Sequence, residues 1–336
     1  MLTKSKILTT KGTLNEEGFS FEELKTYNKE AVPFIYKSRL KEWDYYSFIN
    51  DEMGFLLTIS NNSYMSYVSC SFVDLINKSY LTKTFLTFFS PNKFKLPLSP
   101  KKGNILLNTA HYYIVVKKDN EKTKIIAKLQ SFLKKQDLII NLDVTNTNKN
   151  NGIFILHPFK NKHHFYYNFK ENLLLGNGYI KLGNVTKSFE GNGVYDFGRG
   201  IWPYKTEWFW ISSSLKNEKE SKGFNLGCGF GSLQDSENVV YLNDTHYKLS
   251  DLILDIPKNE KGKINYLDEW KLKDEKGNIS LTFTPIVNRK DSLNFLILST
   301  HQNQVFGKFN GEIKIEDKVI EFKDQVGFIE HFKNRW

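Results

Sequence analysis

Between Tyr195 and Trp210 the chain gathers Asp196, Arg199, Tyr204 and three of its six tryptophans, Trp202, Trp208 and Trp210. A carboxyl group among indoles can do acid chemistry. Desolvation in an aromatic cavity raises an aspartic acid's pKa, and the neutral acid can then protonate an unsaturated substrate while the ring faces shield the developing cation. Arg199 offers the opposite outcome. If it pairs with Asp196, its charge lowers that pKa, and the two form a structural ion pair or grip a polar head group. Asp196 and Arg199 are therefore the catalytic candidates, with the choice between proton donor and ion-pair partner left open by the spacing.

Arginine is scarce, with Arg39, Arg199, Arg289 and Arg335 the only four among 47 basic residues. Where lysine serves most cationic positions, an arginine marks a place that uses the planar fork. At least two of Arg199, Arg289 and Arg335 are expected to be buried on carboxylates or backbone carbonyls. Downstream, Phe224, Leu226, Cys228 and Phe230 alternate with Gly223, Asn225, Gly227, Gly229 and Gly231. That is a strand with one apolar face and one nearly bare face, not a dinucleotide-binding loop. The bare face admits either a packed tryptophan or a ligand, with Asn225 as its polar group. His246 and His301 complete the ligand-binding candidates Trp202, Tyr204, Trp208, Trp210 and Asn225. Trp208 and Trp210 share one strand face, which suits a barrel interior cradling a flat or polyene molecule.

The elements that must hold these residues are strands. Leu138, Ile140, Leu142 and Val144 alternate with polar residues, the period of a half-buried strand. Similar runs recur at Ala31–Lys41, Phe55–Ile59, Tyr64–Val73, Tyr80–Phe89, Tyr112–Lys118, His163–Phe169, Trp208–Ser213, Ile279–Phe283, Leu293–Ser299 and Phe309–Ile315. Turn signals such as Lys276-Gly277-Asn278 and Asn310-Gly311 separate them. Only Lys122–Lys135 carries a competing helical pattern. Many short strands at hairpin spacing imply antiparallel barrels or sandwiches. At 336 residues two domains are expected, and the Gly/Asn-rich stretch Ser188–Gly193 suggests a boundary near residue 190.

Composition narrows the function. With 40% hydrophobic and 15% aromatic residues the chain can bury substantial cores. The net charge of +10 is spread over scattered lysines interleaved with acids, with no stripe to follow a phosphate backbone, so nucleic acid is not an expected partner. His163 and His164 point to opposite sides of a strand, Cys70 and Cys228 lie far apart, and no metal-ligand spacing occurs. No metal or cofactor is expected. No apolar run has the length of a membrane span, and Met1–Lys6 lacks the apolar core of a signal peptide. A cytoplasmic protein with free thiols follows as an expectation.

The ordered motifs resemble the bacterial family called domain of unknown function 2804. They are Arg39–Tyr46, Asp196–Trp210, Gly223–Gly231, Glu237-Asn238, His246–Leu249, His301-Gln302, Phe306–Gly311, Gly327–Glu330 and Arg335-Trp336, spanning nearly the whole chain. A more distant resemblance runs to the carotenoid hydratase (hydroxyneurosporene synthase) and Diels-Alderase group, whose Asp-His-x-Trp-Gly motif precedes a Trp-x-Trp strand. Asp196, Trp208 and Trp210 match. Phe197 stands where the histidine would be, and Gly198-Arg199-Gly200-Ile201 is inserted before Trp202. The resemblance implies an all-β fold of two tandem lipocalin-like (calycin) antiparallel barrels, here residues 1–190 and 191–336, with the second carrying both motifs. It implies acid-initiated hydration, isomerisation or cyclisation of a hydrophobic unsaturated small molecule in a barrel, with the Asp196–Trp210 segment at the junction of the two domains and the site inside or at the mouth of a barrel, or, alternatively, a non-catalytic carrier of a hydrophobic ligand.

Overall fold

The computed structural model describes residues 1–88, 94–119, 122–145, 152–229, 236–243, 245–295 and 298–335. Phe89, Phe230, Gly231, residues 296–297 and Trp336, on which parts of the expectations above fall, lie outside the described residues. Strand takes 68% of the chain and helix 3%. The fold is two lipocalin-like half-barrels in tandem, each a single curled antiparallel sheet.

Three short strands open the chain, β1 (Ser5–Lys6), β2 (Gly18–Ser20) and β3 (Lys25–Thr26). The run Ala31–Lys41, expected as strand, instead begins with 3-10 turns at Lys29–Ala31 and Phe34–Arg39. Pro33, held at φ −58°, cannot donate to a ladder and starts the second turn. The first meander follows as β4 (Leu40–Ile49), β5 (Met53–Asn61), β6 (Met65–Asp74) and β7 (Ser79–Phe88), and a second as β8 (Ile105–Asn108), β9 (Tyr112–Asp119), β10 (Lys122–Leu133) and β11 (Gln136–Thr145). The helical alternative at Lys122–Lys135 loses because β10 pairs on both sides, burying Ile125, Ala127 and Leu129 at every second position. Then come β12 (Gly152–Pro158), β13 (Phe165–Leu182) and β14 (Val185–Ile201). The sheet has 12 strands in the order β7-β6-β5-β4-β14-β13-β11-β10-β9-β8, with β12 and β2 on a branch from β13.

Residue 190 falls within β14, so the change of sheet comes between Ile201 and Lys205. The Gly/Asn-rich stretch that suggested a boundary accommodates the close pairing of β14 with β13 and β4. The second sheet has 9 strands. They are β15 (Lys205–Lys216), β16 (Ser221–Cys228), β17 (Val239–Leu242), β18 (Thr245–Lys248), β19 (Ile253–Asp255), β20 (Trp270–Lys273), β21 (Ile279–Phe295), β22 (Leu298–Ile315) and β23 (Lys318–Arg335). Their order is β18-β17-β16-β15-β23-β22-β21-β20-β19.

Each half-barrel closes on its own apolar core. The first packs Phe48, Phe55, Tyr167, Phe169 and Phe197, and the second Phe209, Phe224, Trp270, Phe283 and Phe309. The two dock through their outer faces. Tyr45, Ile49, Leu56, Val73 and Val194 meet Trp210, Val287, Phe306 and Phe328. A bulge in β13 pins the joint: Leu173, at φ +58°, turns out of the first sheet to pack with Val239 and Tyr241. Next to it, the buried Asn172 Nδ2 donates to Ser212 Oγ (2.8 Å) and to Phe224 O (3.2 Å). A non-glycine residue in the left-handed region is paid for by these contacts.

Candidate functional site

The pleat of β14 splits the Asp196–Arg199 motif. Tyr195, Phe197 and Ile201 enter the first core together with Arg199, while Val194 and Asp196 face the second half-barrel. Positions three apart on a strand point to opposite sides. Asp196 and Arg199 therefore find different partners, and the ion pair allowed by their spacing does not form.

Arg199 is fully buried. Its Nη2 donates to Asp44 Oδ1 (2.7 Å) and to Pro97 O (2.8 Å). Its Nη1 donates to Trp43 O (2.5 Å) and Gly198 O (2.8 Å), and the guanidinium lies 3.7 Å above the Phe197 ring. Tyr195 Oη donates to Asp44 Oδ2 (2.7 Å) and accepts from Lys118 Nζ (2.7 Å). Burial brings the Lys118 ammonium down to about 8, against the opposing pull of Asp44. This cluster ties β4, β9 and β14 together inside the barrel.

The outward face builds a second cluster at the junction. Asp196 Oδ2 accepts from Trp43 Nε1 (2.9 Å), and Oδ1 accepts from Asn168 Nδ2 (2.5 Å) and lies 3.3 Å from Lys170 Nζ. Trp43 reaches Asp196 because residue 198 is glycine, where a Cβ would run into the indole. Lys170 Nζ is also 3.7 Å from Glu237 Oε2 and 3.6 Å above the Trp210 ring. Trp210 Nε1 donates to Asn225 Oδ1 (2.7 Å), and Asn225 Nδ2 to Glu237 O (3.0 Å). The bare glycine face of β16 is explained here: a Cβ on Gly227 would overlap the Glu237 carboxylate.

Two further acids stand out in this cluster. Burial pushes Glu237 above the usual carboxylate range, with Lys170 opposing and Asp196 adding to the rise. Glu330 sits beside Trp210 across the β15–β23 ladder, is 6% exposed, and accepts from Gln302 Nε2 at 2.7 Å. Burial raises it to about 7, against the pull of Gln302, Lys170 and Arg289. Both acids are desolvated, yet Glu237 keeps 16% of its side-chain surface accessible, and Trp43, Tyr67, Trp208 and Gln302 are only half-buried. One side of the cluster is aromatic: Trp202 lies against Trp43 (5.4 Å), Tyr166 (4.9 Å) and Trp208 (4.9 Å), and Trp208 stacks on Phe332 (4.7 Å).

Trp208 and Trp210 do share a strand face as expected, but it is the outer face. Phe209 and Ile211 take the barrel interior. Asp196, Trp202, Trp208, Trp210 and Asn225 are brought together at the junction, where the Asp196–Trp210 segment is expected, on the outer faces of the sheets and not in a barrel interior. Tyr204 is 41% exposed beyond it. His246 stacks on Phe21 at 3.5 Å, in the cluster formed around β12 and β17. His301 is exposed on β22, opposite Lys333. Of the three arginines, only Arg199 makes the expected bonds. Arg289 is buried on a side-chain amide, and Arg335 is exposed with its Nε on Ser299 Oγ (3.0 Å). Trp43, Lys170, Glu237, Gln302 and Glu330 join the junction cluster without being among the candidates the sequence offers. All but Lys170 lie in the motifs on which the family resemblance rests, which is the one signal that singles them out.

The chain belongs to the family described as Domain of unknown function (DUF2804), which matches residues 1–336. No curated protein matches it. Among solved structures, an AttH protein of Nitrosomonas europaea superposes with a TM-score of 0.55 at 11% identity, over 87% of this chain and 92% of that one. Its likeness shows the shared fold. Structural neighbours also include kievitone hydratase from Nectria haematococca, with a TM-score of 0.48 at 13% identity over 93% and 96% of the two chains. CghA bound to Sch210972 follows, at 0.41 and 5% identity over 88% of each.

Proposed function

We propose that the junction between the two half-barrels is an active site for acid-initiated hydration, isomerisation or cyclisation of a hydrophobic unsaturated small molecule, with Glu330 as proton donor. The observation that carries this reading is a buried carboxyl raised to about 7, set on β23 beside the Lys170–Asp196 pair. A carboxylic acid must be neutral to donate a proton, and a pKa near the working pH balances availability against driving force. Glu237, raised by the same burial, stands across Lys170 to take a proton back. Asp196 acts as a positioning residue. Its oxygens hold Trp43 Nε1, Asn168 Nδ2 and Lys170. The indoles of Trp43, Trp202 and Trp208, packed edge-to-face, supply the ring quadrupoles that stabilise a carbocation.

Protonating a carbon–carbon double bond creates a C–H bond from an exchangeable proton. The test is therefore incubation with a pool of hydrophobic cellular small molecules in heavy water, followed by mass spectrometry. The expected result is a product with a non-exchangeable deuterium, formed by the wild type and not by Glu330→Gln. Binding of a molecule from the pool, with no deuterium fixed and no change in its mass, would support a carrier instead.

A further inference from the structure

We propose that the face of β21 and β22 turned towards the first half-barrel carries a carboxylate subsite built on Arg289, so that the molecule taken at the junction is an unsaturated apolar acid. This rests on the reading of the junction as the reaction site and names its substrate class.

Arg289 is 3% exposed. Both of its Nη atoms donate to one acceptor, Gln302 Oε1, at 3.3 and 3.2 Å. Its buried Nε has no hydrogen-bond partner. No carboxylate of the described residues lies within the 4.0 Å of an ion pair with it. A guanidinium carries five N–H donors, and burying it without a counter-charge is costly. The other buried arginine, Arg199, also leaves its Nε without a hydrogen bond but faces Asp44 and Glu42 as counter-charges, so the lack of a carboxylate at Arg289 among the described residues points to a partner that arrives from outside. That partner is an anion that accepts hydrogen bonds in a plane, as a carboxylate does.

The neighbouring groups suit the same guest. Gln304, directly opposite Arg289 in the β21–β22 ladder, is fully buried; its Nε2 meets Tyr45 Oη at 2.7 Å while its Oε1 has no partner. If the amide is turned over, the Tyr45 hydroxyl donates to Oε1 and Nε2 is left facing the guest, with the 2.7 Å contact kept. A carboxylate then receives one N–H from Arg289 and one from Gln304. Gln304, opposite Arg289, bonds Tyr45 of the first half-barrel, and Val287 on the same strand face packs in the apolar joint, which places Arg289 at the joint itself. Arg289 is linked to Glu330 through Gln302, whose Oε1 takes the arginine and whose Nε2 holds the acid. A bound carboxylate near Glu330 disfavours its ionisation and keeps the proton available.

The probe is cis-parinaric acid, a fluorescent polyene acid, compared with its methyl ester. Wild type is expected to bind the acid roughly 10- to 100-fold more tightly than the ester, the range of a charge-assisted hydrogen bond. Arg289→Met is expected to bring the acid to the affinity of the ester, leave the ester unchanged, and not lower the melting temperature, because no carboxylate is stranded. Equal affinities for acid and ester in the wild type, binding of neither, or a retained preference for the acid in a folded Arg289→Met variant overturns the proposal. The wild-type comparison decides even if the variant does not fold. Binding is read without turnover, so intact acid selectivity with no deuterium incorporation would sink the catalytic reading and leave the subsite standing.

Discussion

The interior of the first half-barrel and the junction between the two each hold a buried arginine, and the difference between them separates framework from site. Inside the barrel, Arg199 meets Asp44 and three backbone carbonyls, and Tyr195 and Lys118 complete the Asp44 cluster. At the junction, Arg289 meets only the Gln302 amide oxygen and no carboxylate among the described residues, and burial raises Glu330 to about 7 and Glu237 above the usual carboxylate range. A charge-balanced network fixes geometry. A network with an uncompensated charge and displaced acids carries a cost to stability that binding or catalysis can use.

The sharpest way to break this comparison is Asp44→Asn. Stranding the buried Arg199 should lower stability by roughly 3–5 kcal/mol in urea unfolding, whereas Arg289→Met should not. Equal losses would erase the distinction between the two regions. Next is Glu330→Gln, expected to cut the rate of deuterium incorporation by roughly 10²- to 10⁴-fold while affinity holds and the melting temperature does not fall. In the wild type, that rate should fall as pH rises through about 7, where Glu330 loses its proton.

The same acid predicts a stability trend. Its native value of about 7 lies above the ordinary 4.5. Between these pH values the native state keeps a proton that the unfolded chain has released, so stability falls as pH rises through the window and levels off above it. The loss is at most about 3 kcal/mol, and Glu330→Gln should flatten it. Trp43→Phe removes one hydrogen bond to Asp196 and should cost about 1–2 kcal/mol without touching the barrel cluster. Smallest is His301→Ala, on the exposed face of β22, with a change within about 0.5 kcal/mol and no effect on binding. A loss of ligand affinity there would extend the site well beyond the junction.

Much of the molecule was legible in the sequence. Period-two alternation and glycine-rich turns pointed to the all-β fold, and of the candidate residues Asp196, Trp202, Trp208, Trp210 and Asn225 lie together while Arg199, Tyr204, His246 and His301 lie elsewhere. The site chemistry was less legible. Asp196 drew attention because it sits among aromatic residues, yet its oxygens are occupied by donors from β4 and β13, strands remote from it in the chain. Glu330 looks like one more strand acid until β22 supplies Gln302 and Arg289 comes up beside it.

By itself the sequence determined the strands, their parity and the placement of Asp196 and Arg199 on opposite faces, since a strand's pleat follows from backbone geometry alone. It did not determine which face was inside. Both faces of β14 and β15 are buried, one in a barrel core and one against the other half-barrel, so hydrophobic patterning carries no sign to tell them apart. Only the docking of the two sheets decided that the tryptophans look outward. The same docking desolvates Glu330 and leaves Arg289 buried without a counter-charge.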